Sequence, residues 1–336
     1  MIFILCSLFT CLVMAELQLR IIVLGYNRPR SLLRALRSLQ DANYMHAIVP
    51  LEVHIDGPPS PKTLASYLCA HLFEWKHGPK RVQIHRTNHG VFKQWINAWK
   101  PDWNSQEWAL IVEDDVLLSP FFYHHLISLY NNNAVAIKGN LFGIALQRAQ
   151  WQLGMTEKLT WRRLDLVDER YPPLLAYPAV GTWGQVFFPR AWISFKHWLQ
   201  HNHQKTMRIR WDGLVHEKWR MERKGDLFSY WFTRYALETH SFNLYFNLPD
   251  KAALAISTRE RGKYQRHSLG PSQQLCMHRP TNYESFYYFD GCFEQIHDEE
   301  DIKIIQKETP LIEEQKNFSI HCHYKPGRYP HLRQHR

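Results

Sequence analysis

Three consecutive carboxylates, Glu113-Asp114-Asp115, interrupt an apolar run in the stretch WALIVEDDVLLSP at residues 108–120. A carboxylate in or beside a core is costly unless it is paired, hydrogen-bonded or bound to a metal. The stretch therefore calls for a cation. A hard divalent ion such as Mn2+ or Mg2+ takes oxygen ligands and keeps places open for phosphate oxygens. One or two carboxylates with a diphosphate completing the shell make a Lewis acid that neutralises a departing diphosphate. The triplet could instead cap a helix, but Ser119-Pro120 offers a better helix start just downstream.

Transfer to a hydroxyl needs a further carboxylate to take the proton. Asp226, on a Gly-Asp turn entering an aromatic-rich helical pattern, is the first candidate, and Glu238 is a distant one. Near the middle of the chain, Gly181-Thr182-Trp183-Gly184-Gln185 follows a proline-punctuated run, and its two glycines allow backbone to approach a ligand. A plain turn around a core Trp is the alternative reading.

These residues need a scaffold. Four strand-like runs alternate with helical patterns: LRIIVLGYN (19–27), LEVHIDG (51–57), RVQIHRT (81–87) and WALIVED (108–114). Between the first two, RSLLRALRSLQ repeats Leu at helical spacing, with Pro29 placed where proline suits a first helical turn. The alternation predicts an α/β fold with a mainly parallel sheet covered by helices on both faces. Ligands in such sheets bind beyond the carboxyl ends of the strands. Those ends carry Asn27-Arg28, Asp56-Gly57, Asn88-His89-Gly90 and the acidic triplet. Further on, the pattern predicts helices over FFYHHLISLYNN and from about Pro189, then an aromatic helix and a short strand within 224–249. Loop-formers and the acidic run HDEEDIK dominate from about residue 263.

Composition narrows the class. The net charge of +10 is spread along the chain without a basic stripe or RNA-binding motif, so nucleic acid is not the expected partner. A basic surface also suits a nucleotide diphosphate or an anionic membrane face. Aromatics make up 14% of the chain, with 13 Trp, a composition common where polyhydroxylated ligands are stacked. The uncharged run MIFILCSLFTCLVMA (1–15) has the length of a signal-peptide core or a short apolar anchor, and a buried first strand is the alternative. If it is removed, Cys69, Cys276, Cys292 and Cys322 remain in an oxidising lumen. Cys276 and Cys292 bracket a short aromatic loop and are the preferred pair among three connectivities. No CxxC occurs, and Asn317-Phe318-Ser319 is a glycosylation sequon.

Taken together, IIVLGYNRPRSLLRALRSL, LEVHIDGP and WALIVEDDVLLSPFFYHHL resemble glycosyltransferases of the GT-A fold, of the type related to family 2 and to the N-acetylglucosaminyltransferase I group. The resemblance spans roughly residues 18–250. It implies a Rossmann-like GT-A domain over 16–262, with an irregular, partly disulfide-linked extension over 263–336. It also implies a metal-dependent, inverting hexosyl- or N-acetylhexosaminyltransferase of the Golgi or ER lumen, or secreted, using Mn2+ (or Mg2+). The donor would be a UDP-sugar and the acceptor a glycan or glycoprotein. By the same resemblance Asp56 meets the uracil or ribose, Asn27 and Arg28 line the base pocket, and Asp115 binds the metal. Glu113 and Asp114 hold ribose and metal-bound water, and Trp183 and Gly184 border donor sugar and acceptor. Asp56 can equally be a turn residue before Gly57-Pro58-Pro59. Asp212, in the Trp-flanked RWDGLVHEKW, matches the element that holds the base in the N-acetylglucosaminyltransferase I group and is the second base candidate. Related enzymes often place a metal-binding His after the last short strand, whereas this chain offers Lys263-Tyr264 and, later, His267. Two other readings compete: a nucleotidyltransferase, disfavoured by the single glycine of GYNRPR, and an inactive carbohydrate-binding relative.

Overall fold

The computed structural model describes residues 17–131, 140–156, 164, 171–206, 211–212, 214–223, 227–261, 267, 269–280, 283, 286–296, 318–319 and 321–322. The expected N-terminal segment, the Asn317 sequon position and the HDEEDIK run lie outside them.

The first half follows the expected alternation. Strand β1 (Leu19–Gly25) leads to α1 (Pro29–Gln40), β2 (Leu51–Ile55) to α2 (Pro61–Leu72), and β3 (Lys80–Ile84) to α3 (Gly90–Ala98). Then come β4 (Trp108–Glu113), β5 (Val116–Leu118), α4 (Phe122–Asn131), β6 (Leu141–Ala145), β7 (Met155–Thr156), β8 (Leu174–Tyr177) and β9 (Gln185–Phe187). The remainder holds α5 (Pro189–Thr206), β10 (Trp211–Asp212), α6 (Val215–Arg223), α7 (Phe228–Glu238), β11 (Phe242–Phe246) and β12 (Ala255–Ser257). The last strands are β13 (Tyr287–Phe289), β14 (Gln295–Ile296), β15 (Phe318–Ser319) and β16 (His321–Cys322). Pro29 sits at the first turn of α1, where its missing N–H costs nothing.

Ten strands form one sheet in the order β14-β13-β8-β11-β6-β9-β4-β1-β2-β3. Strands β4, β1, β2 and β3 are all parallel, as the βα repeats require. Beyond β4 the sheet is mixed: β9 enters antiparallel between β4 and β6, and β11 runs parallel to β6. The fold is thus α/β, with helices on both faces of a large sheet. Residues 286–296 add β13 and β14 to its far edge, β13 parallel to β8.

Alternation along each strand divides the core. Ile21 and Val23 of β1 and Leu110 and Val112 of β4 face a cluster with Leu32, Leu36 and Leu39 of α1 and Phe122 and Leu126 of α4. Ile22, Leu24, Ala109 and Ile111 face the other way, against Trp95 of α3, Trp192 and Phe195 of α5, and Phe228 and Phe232 of α7. That second layer absorbs much of the aromatic content. Trp95 stacks on Phe228 with centroids 4.6 Å apart, and Trp95, Trp192 and Trp231 are fully buried.

The expected Cys276–Cys292 bridge is not formed. Cys276 is a free thiol buried in the first core layer beside Ser119, whose Oγ donates to the Cys276 carbonyl at 2.5 Å. Cys292 is in a disulfide, and the turn around it places Phe293 in the opposite layer. The short aromatic loop spans the two layers, so its two cysteines end apart. Labelling of the denatured, unreduced protein with iodoacetamide is expected to modify Cys69 and Cys276, with Cys292 reacting only after reduction; peptide mass spectrometry reads this directly.

Candidate active site at the carboxyl edge of the sheet

Because β1, β2 and β4 run parallel, their carboxyl ends deliver Asn27-Arg28, Asp56-Gly57 and Glu113-Asp114-Asp115 to one edge. The turn after β1 leaves Asn27 exposed and swings Arg28 across to β4. Its Nη2 donates to Asp114 Oδ1 and its Nη1 lies 3.4 Å from Asp115 Oδ2. The sequence asks for a cation at the triplet, and a residue of the chain itself, Arg28, stands there.

Burial sets the titration of the triplet. The Asp114 carboxyl is only 2% exposed, and that burial pushes it up to about 6 against the opposing pull of Arg28. Glu113 is pushed up to about 7 by burial and by the charges of Asp115 and Asp114, while Trp95 Nε1 donates to its Oε1 at 3.0 Å. Burial draws the Arg28 guanidinium down, but Asp114 and Asp115 together lift it above its ordinary range.

Asp115 differs from its neighbours. Its main-chain carbonyl is fixed by Thr258, which donates from N at 2.8 Å and from Oγ1 at 3.2 Å, just beyond the antiparallel pair β5–β12. Among the described residues its side chain makes only long contacts: 3.4 Å to Arg28 and 3.5 Å to Ser257 Oγ. A carboxylate beside a hydroxyl is an all-oxygen set, which fits a hard divalent cation that fills its other places with phosphate oxygens and water. Among the described residues, no group of three or more His, Cys, Asp or Glu side chains is gathered to hold a metal. Ser257 and Thr258 lie beside Asp115, while Lys263 and Tyr264, near which a further ligand is expected, lie outside the described residues, and His267 is exposed.

Asp56 has a main-chain task. It is buried, and its carboxylate accepts from Gly57 N at 3.0 Å, His89 N at 2.8 Å and Gly90 N at 2.9 Å. It ties the end of β2 to the start of α3, the turn-holding role that competed with nucleoside contact. Three amide donors leave little of its lone-pair capacity for a ligand.

The segment before β9 leads into the strand that pairs with β4, Gln185 opposite Ile111, and its Trp183 packs against the core layer of Leu110 and Val112. Two glutamine amides hold the turn: the buried Gln185 Oε1 accepts from Gly181 N at 3.0 Å, and Gln147 Oε1 from Trp183 N at 2.8 Å. Gly184 has φ +87°, and a Cβ there would come within 2.7 Å of Ala255 Cβ. Only glycine meets both demands.

Next to Trp183 opens a cleft of about 410 Å³, lined by Gln147, Gln150, Trp151, Thr182, Trp183 and His216 among others. Trp151 and the two glutamines carry no motif and fall in a stretch whose periodicity is ambiguous in the sequence. Asp226 lies outside the described residues, and of Asp212 the structure describes the backbone, in β10. Glu238 is committed elsewhere: Arg234 Nε donates to its Oε1 at 2.7 Å and Trp198 Nε1 to its Oε2 at 2.9 Å.

No protein family matches the chain by sequence, and no curated protein does. Among solved structures it is similar to the mannosyltransferase PcManGT from Pyrobaculum calidifontis in complex with GDP-Man and Mn2+, at 10% identity and a TM-score of 0.40, over 74% of this chain and 59% of that one. It is also similar to residues 1–349 of S. aureus TarS, at 12% identity and a TM-score of 0.36, over 70% of this chain and 59% of that one. A third is the galactosyltransferase LgtC in complex with donor and acceptor sugar analogues, at 10% identity and a TM-score of 0.28, over 55% and 65%. The chain matches less than two thirds of each of these. At such scores the likeness carries no argument, and the reading below rests on the site.

In the folded chain Asp114 holds its proton more tightly than the ordinary carboxylate near 3.8. The stability this contributes is complete below about pH 4 and is lost as pH rises through about 6. Removing Arg28 takes away the charge that holds the carboxyl down, so the loss should deepen. Arg28→Ala in chelator is therefore expected to destabilise the protein little at pH 4.5 and by about 3 kcal/mol or more at pH 8, as a buried pair stripped of one partner does. Urea unfolding at the two pH values checks this; an equal loss at both would contradict it.

Proposed function

We propose that the chain is a GT-A-type glycosyltransferase that moves a sugar from a nucleotide-diphosphate donor, UDP in our reading, to a hydroxyl of a glycan or glycoprotein. One observation carries the proposal. The acidic end of β4 is buried and compensated by Arg28 from the neighbouring βα turn, and Trp183 of a ligand-sized cleft directly precedes β9, the strand paired with β4. A charged carboxyl edge together with a neutral cleft suits a reaction between an anionic donor and an uncharged acceptor.

In this reading Asp115, with Ser257 beside it, would hold a Mn2+ or Mg2+ ion together with the diphosphate. When bound, such an ion supplies Lewis-acid neutralisation of the leaving diphosphate. Arg28 keeps Asp114 ionised and adds positive charge at the donor's end of the site. Trp95 and Arg28 hold Glu113 and Asp114 for the ribose. The base takes the proton of the acceptor hydroxyl, and Asp226 is our first choice and Asp212 the second. Two helices bearing cleft residues support this choice: His216 of α6 follows Asp212, and Ser229 of α7 follows Asp226, each within a few residues. A transfer with one such base inverts the anomeric centre. The disulfide at Cys292 supports an oxidising, secretory setting. The apolar N-terminus, as a signal or as an anchor to a membrane, fits the same compartment.

Two results test the reading. Asp115→Ala should abolish Mn2+-dependent UDP binding in calorimetry while the far-ultraviolet spectrum stays native; undiminished binding would remove the metal assignment. Asp226→Asn should lower transfer by something like ~10²–10⁴-fold with UDP affinity unchanged, since it keeps the shape but cannot take the proton. If turnover survives in Asp226→Asn and fails in Asp212→Asn, the base is Asp212. If both retain turnover, inverting base catalysis from either is wrong. A protein that binds UDP with Mn2+ yet releases none from any UDP-sugar would be a binding relative.

A further inference from the structure

We propose that the cleft beside Trp183 is the acceptor subsite and that it takes an uncharged pyranose, held by an indole face and by glutamine amides. This rests on the transferase reading and extends it to the chemical class of the acceptor.

Size and place come first. At about 410 Å³ the cleft lies within the usual range for small-ligand sites, roughly 300–1,000 Å³. It opens on the core layer that also holds Ile111, among Ala149, Leu153, Tyr177 and Val180 of that layer. Thr182 and Trp183, which line it, directly precede β9, the strand between β6 and β4.

Chemistry comes next. Its lining contains no Asp, Glu, Lys or Arg among the described residues. A carboxylate or sulfate on the ligand would enter without a counter-charge, at high desolvation cost. The two tyrosine hydroxyls are taken up by the walls: Leu153 N donates to Tyr177 Oη at 2.7 Å, and Tyr245 Oη donates to the Ala179 carbonyl at 3.2 Å. Gln150 is different. Its Nε2 is buried without a hydrogen-bond partner. A rotation of the Gln150 side chain into the cleft it lines would let that amide donate to a ligand hydroxyl and supply the missing bond. Trp151 and Trp183 are half-buried, unlike the fully enclosed Trp95, Trp192 and Trp231, and so offer indole surface to an incoming ring. Amide groups that donate and accept, beside flat apolar surface, suit a molecule with hydroxyls on its edge and C–H groups on its faces.

The test titrates the full chain, loaded with UDP and Mn2+, with methyl α-mannopyranoside, methyl β-galactopyranoside and methyl N-acetyl-β-glucosaminide, followed by saturation-transfer NMR. Methyl β-glucuronide serves as the charged counterpart. At least one neutral glycoside should bind, with affinity about tenfold lower in Gln150→Leu and in Trp151→Ala, while UDP affinity stays unchanged in both. Gln150→Leu keeps the side-chain volume, so it serves should Trp151→Ala fail to fold. Equal binding in both variants, preference for the glucuronide, or no neutral glycoside bound by a protein that still binds UDP and hydrolyses UDP-sugars would overturn the acceptor subsite and leave the transferase reading standing. Neutral glycoside binding that depends on Gln150 in a chain that binds no UDP with Mn2+ would keep the sugar site and overturn the transferase reading.

Discussion

Everything at the carboxyl edge depends on one compensated charge. Asp114 is buried at the end of a central strand, and Arg28 reaches it from the first βα turn. Neither residue could hold its place alone, since an unpaired carboxylate there would take up a proton and an unpaired guanidinium would turn to solvent. The pair joins the carboxyl ends of the neighbouring parallel strands β1 and β4. It also decides the states of its neighbours: with Asp114 neutralised by Arg28, the long contacts of Asp115 leave that side chain as the carboxylate most open to an incoming cation.

A second constraint is steric. The segment before β9 must cross the end of β6 and still enter the sheet between β4 and β6. Gly184 makes this turn in the left-handed region against Ala255, and the amides of Gln147 and Gln185 fix its main chain. Gln185 itself is locked to Asn243 of β11 by a reciprocal amide pair at 2.9 Å in each direction. The approach to β9 is therefore anchored in the sheet interior. Such anchoring gives a site the rigidity that positioning two substrates demands.

Aromatic richness has two origins here. The layer between the sheet and α3, α5 and α7 is packed with rings, Phe195 and Phe232 lying 4.3 Å apart between centroids, and this is core construction. The half-buried indoles at the cleft are a part of the composition that the core does not enclose. Composition alone cannot separate the two, because a Trp in a core and a Trp at a site are identical in sequence.

The sequence by itself determined the α/β alternation, the parallel arrangement of the first four strands and the edge at which the site falls. These follow from local periodicity, and the four strand runs end within a few residues of their expected limits. It also determined that the carboxylates of β4 need a positive partner, since the cost of burying charge is independent of topology. Tertiary structure decided which partner stands there, because Arg28 and Asp114 are brought together only when β1 and β4 pair. Long-range packing also gave Asp56 the amide donors of His89 and Gly90, left Cys276 a free thiol while Cys292 is in a disulfide, and assembled Gln147, Gln150, Trp151, Trp183 and His216 around one cleft. Gln147, Gln150 and Trp151 carry no local signature. The cleft residues come from chain segments far apart in sequence, and only the folded sheet sets the distances between them.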